Sequence, residues 1–209
     1  MALIIHGIAR TRTARVLWLA EELGAPYRHE KVAPGPEGTG SAAFRAINPH
    51  GTVPTIEDDG LVLWESLAIN LHLARKYGAG GLGAADAAEE ARIGQWTLFT
   101  ATELEPNAHE VLVHTINRPP EAREAAKRDA ALAVLARPLA TLDQALADGG
   151  GFLVGRRFTV ADLNVGGVIF YLRGVPDALA ATPHLAAWWQ AIGQRPAYQK
   201  MRALRGDPP

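Results

Sequence analysis

The pattern of the chain changes abruptly at one glycine-rich segment, Gly78-Ala79-Gly80-Gly81-Leu82-Gly83. Before it, short apolar runs typical of strands alternate with helix-like stretches, whereas after it long Ala- and Leu-rich stretches follow with helical spacing. Glycine-rich segments are flexible linkers, so we expect a domain boundary here. The sequence therefore predicts an α/β domain over residues 1–78 and an all-α domain over residues 87–209.

The first domain is predicted to open with a strand, a capped helix and a second strand, which form a right-handed β-α-β unit. Along the first helix apolar residues recur at helical spacing, and Arg15, Glu21 and Glu22 are expected on its solvent side. Residues 33–41 are rich in proline and glycine and predict a surface loop. The predicted strands are Leu3–His6, Tyr27–Val32, one that starts at Val53, and Leu61–Trp64; the predicted helices follow Thr11-Arg12-Thr13, pass through Phe44, and end near Tyr77.

The second domain is predicted to contain four long helices, over residues 87–117, 121–148, 159–174 and 185–195. The third has the best-defined start, because Thr159 can cap it, Asp162 occupies the reciprocal position of a capping box, and Phe158 with Leu163 forms a hydrophobic staple. We interpret this signal as a folding determinant.

The composition argues against several classes of function. The formal net charge is -1, which favours neither nucleic acid nor an anionic membrane as a partner. The chain has no cysteine and no His-Glu-x-x-His motif, so we expect no metal site and no sulfur chemistry except that of a ligand. Met1 leads straight into a strand without a basic leader, and no apolar run approaches the roughly 18 residues of a membrane span, so we expect a cytoplasmic protein.

Several short motifs follow one another in a specific order: Thr11-Arg12-Thr13-Ala14-Arg15 before a helix, Asn48-Pro49 through Pro54, Glu65-Ser66 before a helix, and the capped helix at Thr159. In this order the chain resembles the cytosolic glutathione transferases, of a bacterial type with a serine- or threonine-like hydroxyl active site. The resemblance implies a thioredoxin-like N-terminal domain, an all-α helical-bundle C-terminal domain, a homodimer, and glutathione as co-substrate without a metal.

The resemblance assigns the ends of glutathione to particular residues. Pro54 matches the cis-proline of the family, and Val53 before it would pair with the cysteinyl amide of glutathione. Glu65 and Ser66 match the pair that binds the γ-glutamyl end. A helix N-terminus at Ser66 favours a carboxylate through its N–H groups and dipole, and Glu65 can meet the ammonium. Without the resemblance, Pro54 would be an ordinary trans proline and Ser66 a plain N-cap.

Thr11 stands where the family places its catalytic hydroxyl, although many relatives have Ser, Tyr or Cys there. A hydrogen bond from Thr11 to the sulfur would contribute about 1.5–3 kcal/mol, which lowers a thiol pKa of about 8.5 by roughly one to two units. Thr11 could instead simply cap the first helix. Thr13 and Arg12 are the alternatives for this role.

The glycine carboxylate of glutathione has no obvious partner, because Thr52 stands where relatives often carry Lys or Gln. His50, Arg45 and Arg12 are candidates. In the helical domain, Glu103 and Glu105 lie where some relatives reach the neighbouring subunit's ligand. Aromatic residues could line an acceptor pocket or belong to the core, namely Trp96, Phe99, Trp188 and Trp189.

The predicted reaction is conjugation of the glutathione thiolate to a small hydrophobic electrophile. Glutathione-dependent isomerisation, peroxide reduction and dehalogenation use the same thiolate and stay open. A non-catalytic interaction module that binds glutathione is the alternative from another class.

Overall fold

The computed structural model describes residues 3–78 and 81–207, so positions 79 and 80 of the predicted linker lie outside the described part. The chain forms two compact units. One contains the chain up to Gly83 together with the segment that begins at Gln194, and the other runs from Ala84 to Gly193. The C-terminal segment therefore packs with the first unit, which the sequence did not indicate.

The first unit is built on a four-stranded sheet in the order β2-β1-β3-β4. β1 pairs in parallel with β2, and the other two pairs are antiparallel. Ile5 of β1 lies opposite Ile56 of β3, and both side chains are fully buried, as expected for an apolar central strand. The strands are β1 (Leu3–His6), β2 (Tyr27–Glu30), β3 (Thr55–Asp58) and β4 (Leu61–Trp64).

The helices of the first unit are α1 (Thr13–Leu23), α2 (Ala42–Ile47), α3 (Ser66–Tyr77) and, from the C-terminal segment, α9 (Pro196–Arg205). α1 packs against both α3 and α9, so it is covered on two sides. For this reason the expectation that Arg15, Glu21 and Glu22 face solvent is wrong. Arg15 is buried, and the two glutamates are largely covered because they pair with Lys200 and Arg195 of the C-terminal segment.

The regular secondary structure of the second unit is helical, and one isolated β-bridge joins Val154 and Arg157 in the loop before α7. The predicted stretch 87–117 is one helical run with two π-helical turns, at Thr100–Leu104 and Val113–Asn117. Pro138 lies inside a helix without ending it. The α-helices are α4 (Ala87–Phe99), α5 (Glu105–Leu112), α6 (Ala125–Asp148), α7 (Val160–Ile169) and α8 (Pro183–Gly193), with short 3-10 turns at Pro120–Ala122, Phe170–Gly174 and Pro176–Leu179.

The capping box at the start of α7 is present as predicted. The Thr159 backbone N–H donates to Asp162 at 3.0 Å, and the Thr159 hydroxyl accepts from the backbone N–H of Ala161 at 3.2 Å. Asp162 is fully buried and also accepts from the Leu153 N–H and the Trp188 indole. It thus connects the start of α7 with the preceding loop and with α8.

One helix of the described chain, α6, is long and apolar enough to cross a membrane by length and composition alone. Its buried residues recur every three or four positions, at Leu135, Leu139, Leu142 and Leu146, which is the pattern of a core helix in a bundle. We therefore interpret α6 as part of the helical core.

Candidate active site

The loop between β1 and α1 places two threonine hydroxyls in contact. Thr11 Oγ1 donates to the Ile8 carbonyl at 2.8 Å, lies 2.9 Å from Thr13 Oγ1, and accepts from the Thr13 N–H at 3.2 Å. A hydroxyl has one proton, and a carbonyl can only accept, so the Thr11 proton is directed at Ile8 and the Thr13 hydroxyl donates to Thr11. The half-buried Thr11 is therefore the outer member of the pair, since Thr13 is fully buried.

A glycine brings this hydroxyl pair close to Val53. Gly7 has φ +130°, and a Cβ there would overlap Thr13 Oγ1 and lie 3.0 Å from Val53 Cβ. Any side chain at position 7 would thus push the loop and Val53 apart, and the φ value also favours glycine. The β1–α1 loop and the segment before β3 consequently meet at Gly7.

The Val53–Pro54 peptide is cis, as predicted. Pro54 is buried and Val53 half-buried, and β3 begins only at Thr55, two residues later than expected. The backbone at Val53 is therefore outside the strand ladder, next to the β1–α1 loop.

Asn48, which the sequence motif names without a role of its own, holds the segment that carries Val53. Its side chain is fully buried and donates to the Thr52 carbonyl and to Thr55 Oγ1, each at 3.0 Å, and it accepts from the His50 N–H at 3.0 Å. All three bonding groups of the amide are thus used within residues 48–55. Asn48 fixes the path of the chain on both sides of Val53.

Replacing Asn48 by alanine should lower the free energy of unfolding by about 1–3 kcal/mol, because the His50 N–H loses its acceptor and the buried Thr55 hydroxyl and the Thr52 carbonyl each lose a donor. Urea unfolding of both proteins measures this loss. Asn117→Ala, at an exposed position, is the control and should change stability by less than about 0.5 kcal/mol. Equal stability of the two variants would contradict the role given to Asn48.

The start of α3 carries Glu65 and Ser66. Glu65 is the exposed N-cap residue, has φ 73°, and makes no side-chain capping bond. A glutamate in this region of φ is strained, and such strain concentrates at functional sites. Ser66 is not the N-cap but the first helical residue; it is buried, and its Oγ accepts from Arg15 Nη1 at 3.2 Å. The Ser66 hydroxyl proton is therefore not used in that bond.

A buried carboxylate at the end of β3 fixes α3 on the sheet. Asp58 accepts from His72 at 2.7 Å, Lys76 at 2.7 Å and Tyr77 at 2.6 Å, all on α3. Burial would raise the pKa of Asp58, but the hydrogen bonds from Lys76, Tyr77 and His72 outweigh it and lower the pKa below its ordinary value. The helix that presents Ser66 thus has a defined position on the sheet.

The residues considered for the glycine carboxylate are on the surface of the first unit. His50, Thr52, Arg45 and Arg12 are all exposed, and the backbone of the first two is bonded to Asn48. The Arg45 guanidinium lies beside the turn at Gly51, 3.5 Å from the position of a Cβ there.

The acceptor-pocket candidates of the second unit separate into two groups. Trp188 is 5% exposed and bonded to Asp162, so it belongs to the core. Trp96 and Phe99 are half-buried and form an edge-to-face pair with ring centroids 5.4 Å apart, while Trp189 is half-buried beside Trp188.

The acidic candidates, Glu103 and Glu105, are half-buried, and Glu103 pairs with Arg137 at 3.1 Å on the surface of this unit. Across residues 3–78 and 81–207, no cluster of three or more acidic or histidine side chains could hold a metal ion.

Comparison with known proteins identifies both parts of the chain. Residues 11–76 match the family model described as "Glutathione S-transferase, N-terminal domain", and residues 104–196 match "Glutathione S-transferase, C-terminal domain". Glutathione S-transferase GstB of Escherichia coli (strain K12) is 35% identical over 196 residues, which are 91% of this chain and 92% of that protein. Glutathione S-transferase 3 of Zea mays is 35% identical over 79% of this chain and 77% of its own length.

Solved structures agree with these sequence matches. A theta class glutathione S-transferase from Xanthomonas axonopodis pv. citri with glutathione bound is 34% identical, with a TM-score of 0.86 over 95% of this chain and 96% of that one. Glutathione S-transferase-I bound with lactoylglutathione is 27% identical, with a TM-score of 0.89 over 98% and 100%. The thioredoxin-like and all-α fold classes are thereby confirmed, and the chain belongs to the glutathione S-transferase family.

Proposed function

We propose that the first unit binds glutathione between the Val53 backbone and the start of α3, and that the enzyme transfers the thiolate to a small hydrophobic electrophile. The proposal rests on one observation: at Gly7, the Thr11–Thr13 hydroxyl pair lies close to Val53. A relative of 34% identity whose structure contains bound glutathione supports the choice of thiol.

The γ-glutamyl end is assigned to Glu65 and Ser66. The Ser66 hydroxyl can donate to a carboxylate, because the guanidinium of Arg15 already donates to its oxygen. The buried Arg15 and the N-terminal dipole of α3 both favour negative charge at this point. Glu65 is exposed and can meet the ligand's ammonium.

The thiolate is assigned to Thr11, which must turn its proton from the Ile8 carbonyl to the sulfur. That carbonyl keeps a second donor, the Thr11 backbone N–H at 3.0 Å, so the rotation leaves no acceptor unpaired. The Thr13 hydroxyl continues to donate to Thr11 and strengthens it as a donor. Thr13 and Arg12 are the alternatives if Thr11 fails this role.

The glycine carboxylate is assigned to the exposed edge formed by His50, Thr52 and Arg45, with Arg12 as the alternative. A positive side chain there gives moderate, salt-sensitive attraction because it is solvated.

We also propose that the protein acts in the cytoplasm in detoxification and forms a homodimer. Exposed apolar side chains in each unit support the dimer: Leu61 and Trp64 on the edge strand β4, and Leu98 and Val134 on helices of the second unit.

Purified protein should conjugate glutathione to a chloronitroarene, measured by the absorbance of the product. Turnover of an isomerase substrate, a peroxide or a haloalkane without conjugation would assign one of the alternative reactions. Retention on immobilised glutathione with no turnover of any of these would favour a non-catalytic module. Failure to bind glutathione at all would contradict the proposal.

The Ser66→Ala variant should bind glutathione about tenfold more weakly, which corresponds to about 1.4 kcal/mol, because the carboxylate loses one hydroxyl donor but keeps the helix N–H groups. Calorimetric titration measures the affinity. The matched control is Ser41→Ala, since Ser41 is the chain's other serine and caps α2 through the Phe44 N–H at 3.2 Å. Unchanged affinity in Ser66→Ala would show that the γ-glutamyl assignment is wrong.

A further inference from the structure

The end of α9 is bonded to the loop that carries Thr11. Arg205 Nη1 donates to the Ala9 carbonyl at 2.7 Å, and Arg10 Nε donates to the Arg205 carbonyl at 3.1 Å. Each segment therefore donates one hydrogen bond to a backbone carbonyl of the other. The residues that α9 holds, Ala9 and Arg10, directly precede Thr11 in the chain.

The geometry of the Arg205 side chain is itself fixed. Its Nε donates to Asp207 at 2.9 Å, and the side chain is only 10% exposed. Gly206 has φ 72° and ends the helix in the left-handed conformation, and the Asp207 N–H donates back to the Arg202 carbonyl. This helix end aims the guanidinium at Ala9, and a charged donor makes that bond stronger than a neutral one.

The opposite ends of the loop have anchors of their own. At the start, the Gly7 N–H donates to the Glu30 carbonyl at 2.9 Å, and at the end the Ala14 N–H donates to the Thr11 carbonyl at 3.1 Å. Between these anchors the Ala9 backbone is covered, since Ala9 is 6% exposed, and its carbonyl is the group that Arg205 binds. The bond to Arg205 thus restrains the middle of the loop.

We propose that Arg205 is a positioning residue for the transferase reaction, acting through the Ala9 carbonyl to keep the Thr11 hydroxyl at the thiolate position beside Val53. The inference rests on the proposed function and adds to it a contribution from the C-terminal helix. Without this restraint the loop can shift, and a displacement of about 1 Å can lower a rate by up to about 100-fold. Arg10 supports the same contact, because its cationic side chain lies at the C-terminal end of α9.

The test compares Arg205→Met, which keeps the apolar stem, with Lys200→Met on the same helix. Lys200 pairs with Glu21 of α1 at 2.6 Å and does not bond the loop in residues 8–11, so it controls for weaker helix docking. Arg205→Met should lower kcat at saturating glutathione by about tenfold and shift the pH profile of kcat/KM to higher pH, because the thiolate loses its placed donor. Lys200→Met should keep the wild-type kcat and the wild-type pH profile of kcat/KM.

Asp207→Asn is a milder variant that retains Arg205 but weakens its orientation. It should shift the pH profile of kcat/KM in the same direction and lower kcat about threefold. It decides the question if Arg205→Met does not fold. Wild-type kcat and pH profile in the folded variants, with an active parent, would overturn the positioning role alone. If the parent binds glutathione without turnover, the ultraviolet absorbance of the bound thiolate gives the same comparison; a parent that does not bind glutathione overturns both proposals.

Discussion

Replacing Asp162 by alanine should lower the free energy of unfolding by about 3–5 kcal/mol near pH 5. Four donors lose their acceptor at once: the backbone N–H groups of Leu153 and Thr159, the Thr159 hydroxyl, and the indole of Trp188. Each stranded donor costs about 1–3 kcal/mol, and relaxation of the site recovers part of the sum. Denaturant unfolding followed by tryptophan fluorescence measures the loss.

The pH dependence of this loss has a defined sign. Burial raises the pKa of Asp162 to about 6 from its ordinary 3.8, because desolvation outweighs the hydrogen bonds from Thr159, Leu153 and Trp188. A carboxyl with a raised pKa in the folded state stabilises that state below the unfolded pKa, and this contribution falls as the pH rises through the folded pKa. The difference in the free energy of unfolding between wild type and Asp162→Ala should therefore become smaller as the pH rises from about 4 to about 6.

The control for this prediction is Asp148→Ala, which removes an exposed aspartate at the end of α6. It should change stability by less than about 0.5 kcal/mol and leave the pH dependence as in wild type. If Asp162→Ala unfolds no more easily than this control, the polar contacts at the start of α7 do not stabilise the second unit.

Replacing Thr11 by valine should lower kcat/KM for conjugation by about one to two orders of magnitude, which corresponds to about 1.4–2.8 kcal/mol. Valine keeps the shape of threonine but cannot donate to the sulfur. Thr13→Val should have a smaller effect, because the Thr13 hydroxyl is bonded to Thr11 Oγ1 and is fully buried. Steady-state kinetics with a chloronitroarene give both ratios.

The relative size of these two effects separates the possible donors. Thr141→Val, at an exposed position on α6, is the control and should retain wild-type kinetics. A larger loss in Thr13→Val than in Thr11→Val would make Thr13 the donor to sulfur. A loss confined to Arg12→Ala would transfer the role to the guanidinium.

Local sequence signals were sufficient for much of the fold. The cis Val53–Pro54 bond was expected only from the resemblance to the family. The periodic apolar residues predicted α1, whose N-cap Arg12 makes no side-chain capping bond, and Thr159 with Asp162 predicted the start of α7. Each of these features depends on residues within a few positions of one another. Their physical causes are therefore visible in a short stretch of sequence.

The features that were missed depend on long-range packing. Arg15 is charged, so the sequence pattern predicts it on the solvent side of α1. It is buried, and its guanidinium donates to Ser66 at the start of α3, which is distant in the sequence. The α9 helix is held to α1 by charged contacts such as Arg195 with Glu22 at 2.7 Å, and by the buried ring of Tyr198, which packs edge to face on Trp18. Pro196 and Gly206 were available as start and stop signals for this helix. Its place beside the Thr11 loop could not be inferred from them.

The central claim is that the first unit holds glutathione with its sulfur next to Thr11 and stabilises the thiolate. Ultraviolet titration of the thiolate in the enzyme–glutathione complex measures this directly. We predict an apparent thiol pKa about one to two units below that of free glutathione, as expected for one charged hydrogen bond near a helix N-terminus. A bound thiol that titrates as in free glutathione would contradict the account.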